Sequence, residues 1–129
     1  METKGLLTEA LNGLQRARGI APEGGLALSA LRWELYAALQ NTLDALTMTI
    51  ADIGLKKPLS YEELGRALSE AGLLEEHHAD VVRAEASTRN TLAHAYRKLT
   101  AEDLSGILRA IVPDVEKLIG RLLELVDHK

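Results

Sequence analysis

Apolar residues recur along this chain at steps of three and four, the period of an amphipathic helix. Leu7, Leu11 and Leu14 mark a first helix from Leu6 to about Arg18, and Gly19 with Pro22-Glu-Gly-Gly25 forms the loop after it. A long second helix is predicted from about Leu26 to Ile53. Leu28, Leu31, Leu35, Leu39, Thr42, Leu46, Ile50 and Ile53 lie along one face of it, and Gly54 stands where a helix stops. Pro58-Leu-Ser60 opens a short third helix. Ser60 and Glu63 have capping-box spacing there, and Gly72 closes the helix. A fourth helix is expected from about Glu75 to about Tyr96. Thr100 and Asp103 then start a fifth, whose stripe of Leu104, Ile107, Ile111, Val115, Leu118, Leu122 and Val126 keeps its phase through Pro113. Pro113 therefore reads as a kink and not as a break. The expected fold is all-α, an up-and-down bundle of about five helices with a short third helix and a kinked last one.

Composition sharpens this picture. Of 129 residues, 47% are apolar but only 3% aromatic, with no Phe, so Leu and Ala must build the core. Both favour helix, and β-branched residues are sparse. A chain of this length is expected to form one domain, residues 1–129, with 1–25 the least certain part. Cysteine is absent, which excludes disulfides and thiolate metal sites. No signal peptide is expected after Met1-Glu-Thr-Lys-Gly, and no apolar run reaches the ~18 residues of a membrane span. A cytoplasmic location follows as an expectation, with no membrane partner.

The net charge of −4 argues against broad charge-driven nucleic-acid binding. One window runs the other way. Between Arg83 and Lys98 stand four basic residues (Arg83, Arg89, Arg97, Lys98) against one acidic residue, Glu85. This local reversal is the first hint of an anionic ligand.

Inside that window lies Arg89-Asn90-Thr91-Leu92-Ala93-His94-Ala95-Tyr96. Arginine carries a permanent charge on a planar fork suited to phosphate. Histidine exchanges a proton near neutral pH. On a regular helix, Arg89 and Tyr96 share a stripe, while His94 lies about 140° from Arg89 and close to Asn90. One helix does not easily aim Arg89 and His94 at one atom. Either the helix end is distorted, or two copies of the segment face each other in a dimer. Read without further context, such residues are more often structural than functional, and Tyr96 alone could be core.

The pattern Arg, four residues, His, one residue, Tyr resembles the signature of HEPN domains of the HepT family. Pro58-Leu-Ser-Tyr-Glu-Glu-Leu and Glu70-Ala-Gly-Leu-Leu-Glu-Glu resemble that family's short third helix and the turn after it. Leu-Thr-Ala-Glu-Asp-Leu (99–104) resembles its restart after the motif. The likeness runs from about Leu31 to Leu125. Two departures are Ala95, where relatives often carry a charge, and the modestly apolar run from Ala84 to Thr88.

The resemblance implies a metal-independent endoribonuclease without cofactor, acting as a homodimer whose two motifs line one cleft. It implies attack of an RNA 2′-hydroxyl on the adjacent phosphate. His94 would be general acid or base and Arg89 the phosphate clamp, with Asn90 in support. Arg97, Lys98 and Arg83 would attract the RNA backbone. It further implies a toxin paired with an MntA-like nucleotidyltransferase antitoxin, which transfers AMP to Tyr96.

The remaining clusters read more plainly. Glu75-Glu-His-His78 holds one Glu-x-x-His, where a di-metal bundle needs two and further carboxylates, so no metal site is expected. Glu34, Gln40, Asn41 and Asp44 give the second helix a polar face, mostly solvated, from which one member could brace Arg89. Trp33 and Tyr36 read as core or interface more readily than as stacking platforms. No P-loop or Rossmann glycine pattern is present. The alternative to the enzyme is a non-catalytic helical partner that presents nucleotide or substrate to a nucleotidyltransferase. A third reading makes the segment a packed dimer contact.

Overall fold

The computed structural model describes residues 2–95 and 98–127. All regular structure among them is helical: α1 (Thr3–Arg18), α2 (Gly25–Asp52), a 3₁₀ turn (Tyr61–Glu63) running into α3 (Leu64–Glu70), α4 (Glu76–His94), α5 (Ala101–Ala110) and α6 (Val112–Asp127). The all-helical expectation stands, with six helices in place of about five. The difference arises at Pro113, which lacks the amide needed to bond back to Arg109. The predicted kink is a one-residue joint at Ile111, which separates α5 from α6. Ile111 still accepts from the Val115 amide at 3.0 Å, so the stripe crosses the joint in phase.

The long α2 is the axis of the molecule, about 40 Å from end to end. It packs against α1, α3, α4 and α5, while α6 closes over α1 and α4. Its buried surface is broader than a single stripe. Leu31, Leu35, Leu39 and Leu46 are joined by Ala38, Leu43 and Ala45, because neighbours cover it from several sides. Leu and Ala dominate the core, together with Val82, Val112, Val115 and Ile119. No helix is long and apolar enough to cross a membrane among the described residues.

Gly54 and Gly72 take positive φ (77° and 80°) just past α2 and α3. Each lets the chain fold back so that the next amide reaches an end carbonyl: Leu55 to Ile50 at 3.1 Å and Leu73 to Leu68 at 3.0 Å. The capping box expected at Ser60 and Glu63 does not form, since Ser60 makes no side-chain cap. The Glu63 amide bonds the Ser60 carbonyl instead, at 3.3 Å, and the chain enters α3 through the 3₁₀ turn. The box at Thr100 and Asp103 does form, with bonds of 2.9 and 3.1 Å.

Gly65 sets how closely α3 approaches α4. A Cβ built there would lie 2.8 Å from the Val82 side chain and 2.9 Å from Ala79 Cα. Only glycine permits that contact. The contact brings the turn carrying Tyr61 and Glu62 up to the C-terminal half of α4, where the Arg89 segment lies.

Candidate active site

Arg89 leaves α4 and crosses to α2. Its Nε donates to Gln40 Oε1 at 2.7 Å, and its Nη1 to Asn90 Oδ1 at 2.8 Å. The Gln40 amide nitrogen is held in turn by Asp44 Oδ1 (2.9 Å) and the Tyr61 hydroxyl (3.3 Å). The Asn90 amide nitrogen donates to Glu62 Oε1 at 3.2 Å. These bonds fix both amide orientations, leaving each carbonyl oxygen free to accept from the guanidinium. Two aromatic faces complete the clamp. Arg89 Cζ lies 5.6 Å from the Tyr36 ring centre and 5.5 Å from that of Tyr61, both within cation–π range.

The network orients Arg89 without neutralising it. Among the described residues, no carboxylate forms an ion pair with Arg89. Arg16, Arg18, Arg66, Arg83 and Arg121 are each paired with Asp or Glu. Asp44 and Glu62 act on Arg89 only through an intervening amide. The result is a part-buried, pre-positioned cation with its charge available to an anion.

The other sequence candidates fall as follows. Asn90 sits beside Arg89 and orients it. His94 is exposed on the last turn of α4, which stays regular from Glu76 to His94. A distorted helix end therefore does not bring His94 round to Arg89. Lys98 is exposed. Arg83 is exposed and paired with Asp80 one turn away, so its charge is already met. Tyr96 and Arg97 lie outside the described residues. Trp33 is not a core residue, since it is 60% exposed. Tyr36 is half-buried against Arg89.

Sequence reading missed four residues. Gln40 was one of several polar positions on α2, and only the packing angle of α4 selects it. Tyr61 and Glu62 come from the 3₁₀ turn, far away in sequence. Glu85 is the fourth. It is fully buried on α4, one turn before Arg89, and neither carboxyl oxygen has a hydrogen-bond partner among the described residues. Burial pushes its pKa well above the usual carboxylate value. Neighbouring Thr42 opposes that shift in part, although its hydroxyl donates to the Ala38 carbonyl at 2.9 Å. A signal was available: Glu85 falls three residues after Val82, on the buried stripe.

Glu75, His77 and His78 bring possible metal-binding atoms within 4.8 Å of one another. Those atoms already serve the start of α4. His78 Nδ1 accepts from the Glu75 amide at 3.1 Å, and His77 Nδ1 lies 3.1 Å from Glu75 Oε2. The group is at the end of α4 opposite Arg89, about 17 Å along the axis from His78 to Arg89. Burial, and then His77, lower the His78 pKa.

A candidate RNase of Archaeoglobus fulgidus is 27% identical over 107 residues, covering 80% of this chain and 78% of that protein. No solved structure gives a significant match. The family model described as ribonuclease HepT-like matches residues 7–122, which include α4 and the whole Arg89 network. The chain belongs to the HepT-like ribonuclease family.

Proposed function

We propose that this protein is a metal-independent endoribonuclease that cleaves RNA by transesterification at a site shared between two copies of the chain. The observation that carries this reading is the state of Arg89: locked by neutral amides and two aromatic rings, and unpaired with any carboxylate among the described residues. A scissile phosphate is the anion that such a fork suits.

In the reaction, a base removes the proton from a ribose 2′-hydroxyl. The oxygen attacks the adjacent phosphorus, and the 5′-oxygen of the next nucleotide leaves with a proton from an acid. The products are a 2′,3′-cyclic phosphate and a 5′-hydroxyl end. Arg89 stabilises charge gathering on the phosphate oxygens. His94 carries the proton as base or acid. Because α4 is regular through His94, the two side chains project about 140° apart on one helix. A homodimer in which Arg89 of one copy meets His94 of the other supplies what one helix does not. Lys98 and Arg97 would draw in the RNA backbone; Arg83, already paired, contributes less.

The same reading makes the protein a toxin, paired with an MntA-like nucleotidyltransferase antitoxin that adds AMP to Tyr96. Added phosphates seven residues from Arg89 in sequence would bring negative charge to the motif and oppose the strand. Mass measurement after co-expression with such a partner tests this: adenylate-sized increments are expected on the wild type and none on Tyr96→Phe.

The activity is tested with RNA in EDTA, followed by mapping of the cut ends. Cleavage leaving cyclic phosphates is expected, with His94→Ala reducing the rate by about 10²–10⁴. Cleavage that requires a divalent ion, or that His94→Ala leaves intact, would contradict the proposal. The adaptor reading predicts no cleavage by any variant.

A further inference from the structure

Next to the Arg89 clamp lies an apolar cleft of about 220 Å³ lined by Trp33, Tyr36, Leu92 and Ala93. Three observations connect it to the phosphate site. Tyr36 belongs to both: it lines the cleft, and its ring centre lies 5.6 Å from Arg89 Cζ. Leu92 and Ala93 follow Arg89 by three and four residues, so they lie one turn further along the same side of α4. Trp33 stands one turn before Tyr36 on α2, its ring 6.1 Å from that of Tyr36 and tilted by 33°.

The exposure of Trp33 needs a reason. At 60% it is one of three large apolar side chains exposed among the described residues, and it stands beside an uncompensated cation. The core does not use its outer face. Ala93 opposite is small and exposed, which leaves the cleft open. A flat ring-shaped guest can lie on the indole, with Tyr36, Leu92 and Ala93 around it. Such a guest must tolerate a guanidinium next door.

We propose that this cleft seats one nucleobase of the RNA strand whose phosphate Arg89 holds. The base stacks on Trp33, and its own phosphate reaches the guanidinium across the shared Tyr36 ring. Stacking accepts any base, because every base has a π face. The subsite therefore sets the register of the strand and favours unpaired RNA, whose bases are free to leave their stack. This inference rests on the ribonuclease reading for its ligand, but its test does not require cleavage.

Trp33 is the chain's sole tryptophan, so its fluorescence reports this cleft directly. Two uncleavable strands of equal length are titrated, both with 2′-O-methyl riboses. One carries bases and the other is abasic at every position. The strand with bases should quench Trp33 saturably and bind about tenfold or more tightly than the abasic strand. Trp33→Ala should weaken the strand with bases to near the abasic level, read by anisotropy of a labelled strand. Ala93→Phe, which fills the cleft and leaves the indole in place, should do the same.

Equal binding of the two strands, or unchanged affinity in both variants, overturns the proposal. So does a Trp33→Ala chain that sediments as a monomer where the wild type is a dimer, for then a second copy occupies the shelf. Base-dependent quenching by a protein that cleaves no RNA would sink the ribonuclease reading and leave the nucleobase subsite standing.

Discussion

Two arginines brace the central helix α2, and they do so by opposite chemistry. Arg16 reaches from α1 to Glu34 at 2.9 Å and is held again by Glu9 at 2.9 Å. Its hydrogen bonds to Glu9 and then to Glu34 raise its pKa further. Arg89 reaches from α4 to Gln40 at 2.7 Å and, among the described residues, meets amides and aromatic faces. Arg16 is satisfied, exposed and screened, so it serves as a modest tie between helices. Arg89 is likewise held in place, but no carboxylate among the described residues pairs with its charge. A protein that needed only a tie at α4 could have used a carboxylate there. The neutral clamp fits the phosphate-holding role proposed for Arg89.

The comparison can be broken at its extremes. Arg89→Ala should lower RNA cleavage by about 10²–10³ in initial rate, the usual cost of one contact to developing charge. Arg16→Ala should leave the rate unchanged. If both variants lose activity in proportion to their loss of melting temperature, Arg89 is a structural tie like Arg16. Gln40→Glu sharpens the contrast, since it gives Arg89 the partner that Arg16 already has. The fold should survive, while affinity for an uncleavable strand falls by about tenfold, or ~1.4 kcal/mol. Unchanged affinity would show that the neutral clamp does not matter.

The packing that holds the clamp gives the next effect. Gly65→Ala pushes a methyl into Val82 and Ala79 and should cost about 1–3 kcal/mol in denaturant unfolding. The Tyr61 and Glu62 supports should loosen with it. Arg16→Ala should cost the least, with little or no shift in the unfolding midpoint, because its ion pairs are exposed and screened.

Glu85 offers a test with a definite sign in pH. Its pKa is raised in the folded chain by burial, against an unfolded value of about 4.3. Between those two values the folded state binds more protons, so stability is fully present below pH of about 4.3 and falls as pH rises through the folded pKa. Glu85→Gln should remove that decline and stabilise the protein at neutral pH. A wild type whose stability rises with pH across that window, with the variant following the same curve, would contradict the buried neutral acid.

Much of the fold was legible because helical periodicity is a local signal. The stripe from Leu104 to Val126 survived Pro113, and the glycines after α2 and α3 fell where positive φ was needed. The Ser60 box failed because an available cap competes with other turns. There the 3₁₀ turn took the backbone bond that the hydroxyl would have made. In the site, Arg89 and His94 were visible as residue types at a spacing. What Arg89 touches was not, because Gln40, Tyr61 and Tyr36 meet it only through the angles at which α2, α3 and α4 pack. Residue type alone puts Trp33 in core or interface; its exposure excludes the core, and that depends on where neighbouring helices end. Glu85 was legible in phase but overlooked, since a carboxylate on a buried stripe runs against its chemistry.

The central claim is that Arg89 of one copy and His94 of the other act on one phosphodiester. The direct measurement is cleavage by a purified heterodimer of an Arg89→Ala chain and a His94→Ala chain, co-expressed with different tags. One of its two shared sites would regain both groups, so activity should return to roughly half that of the wild type, far above either mutant homodimer. A heterodimer as inactive as its two parents, in the presence of a fully active wild type, would contradict the account.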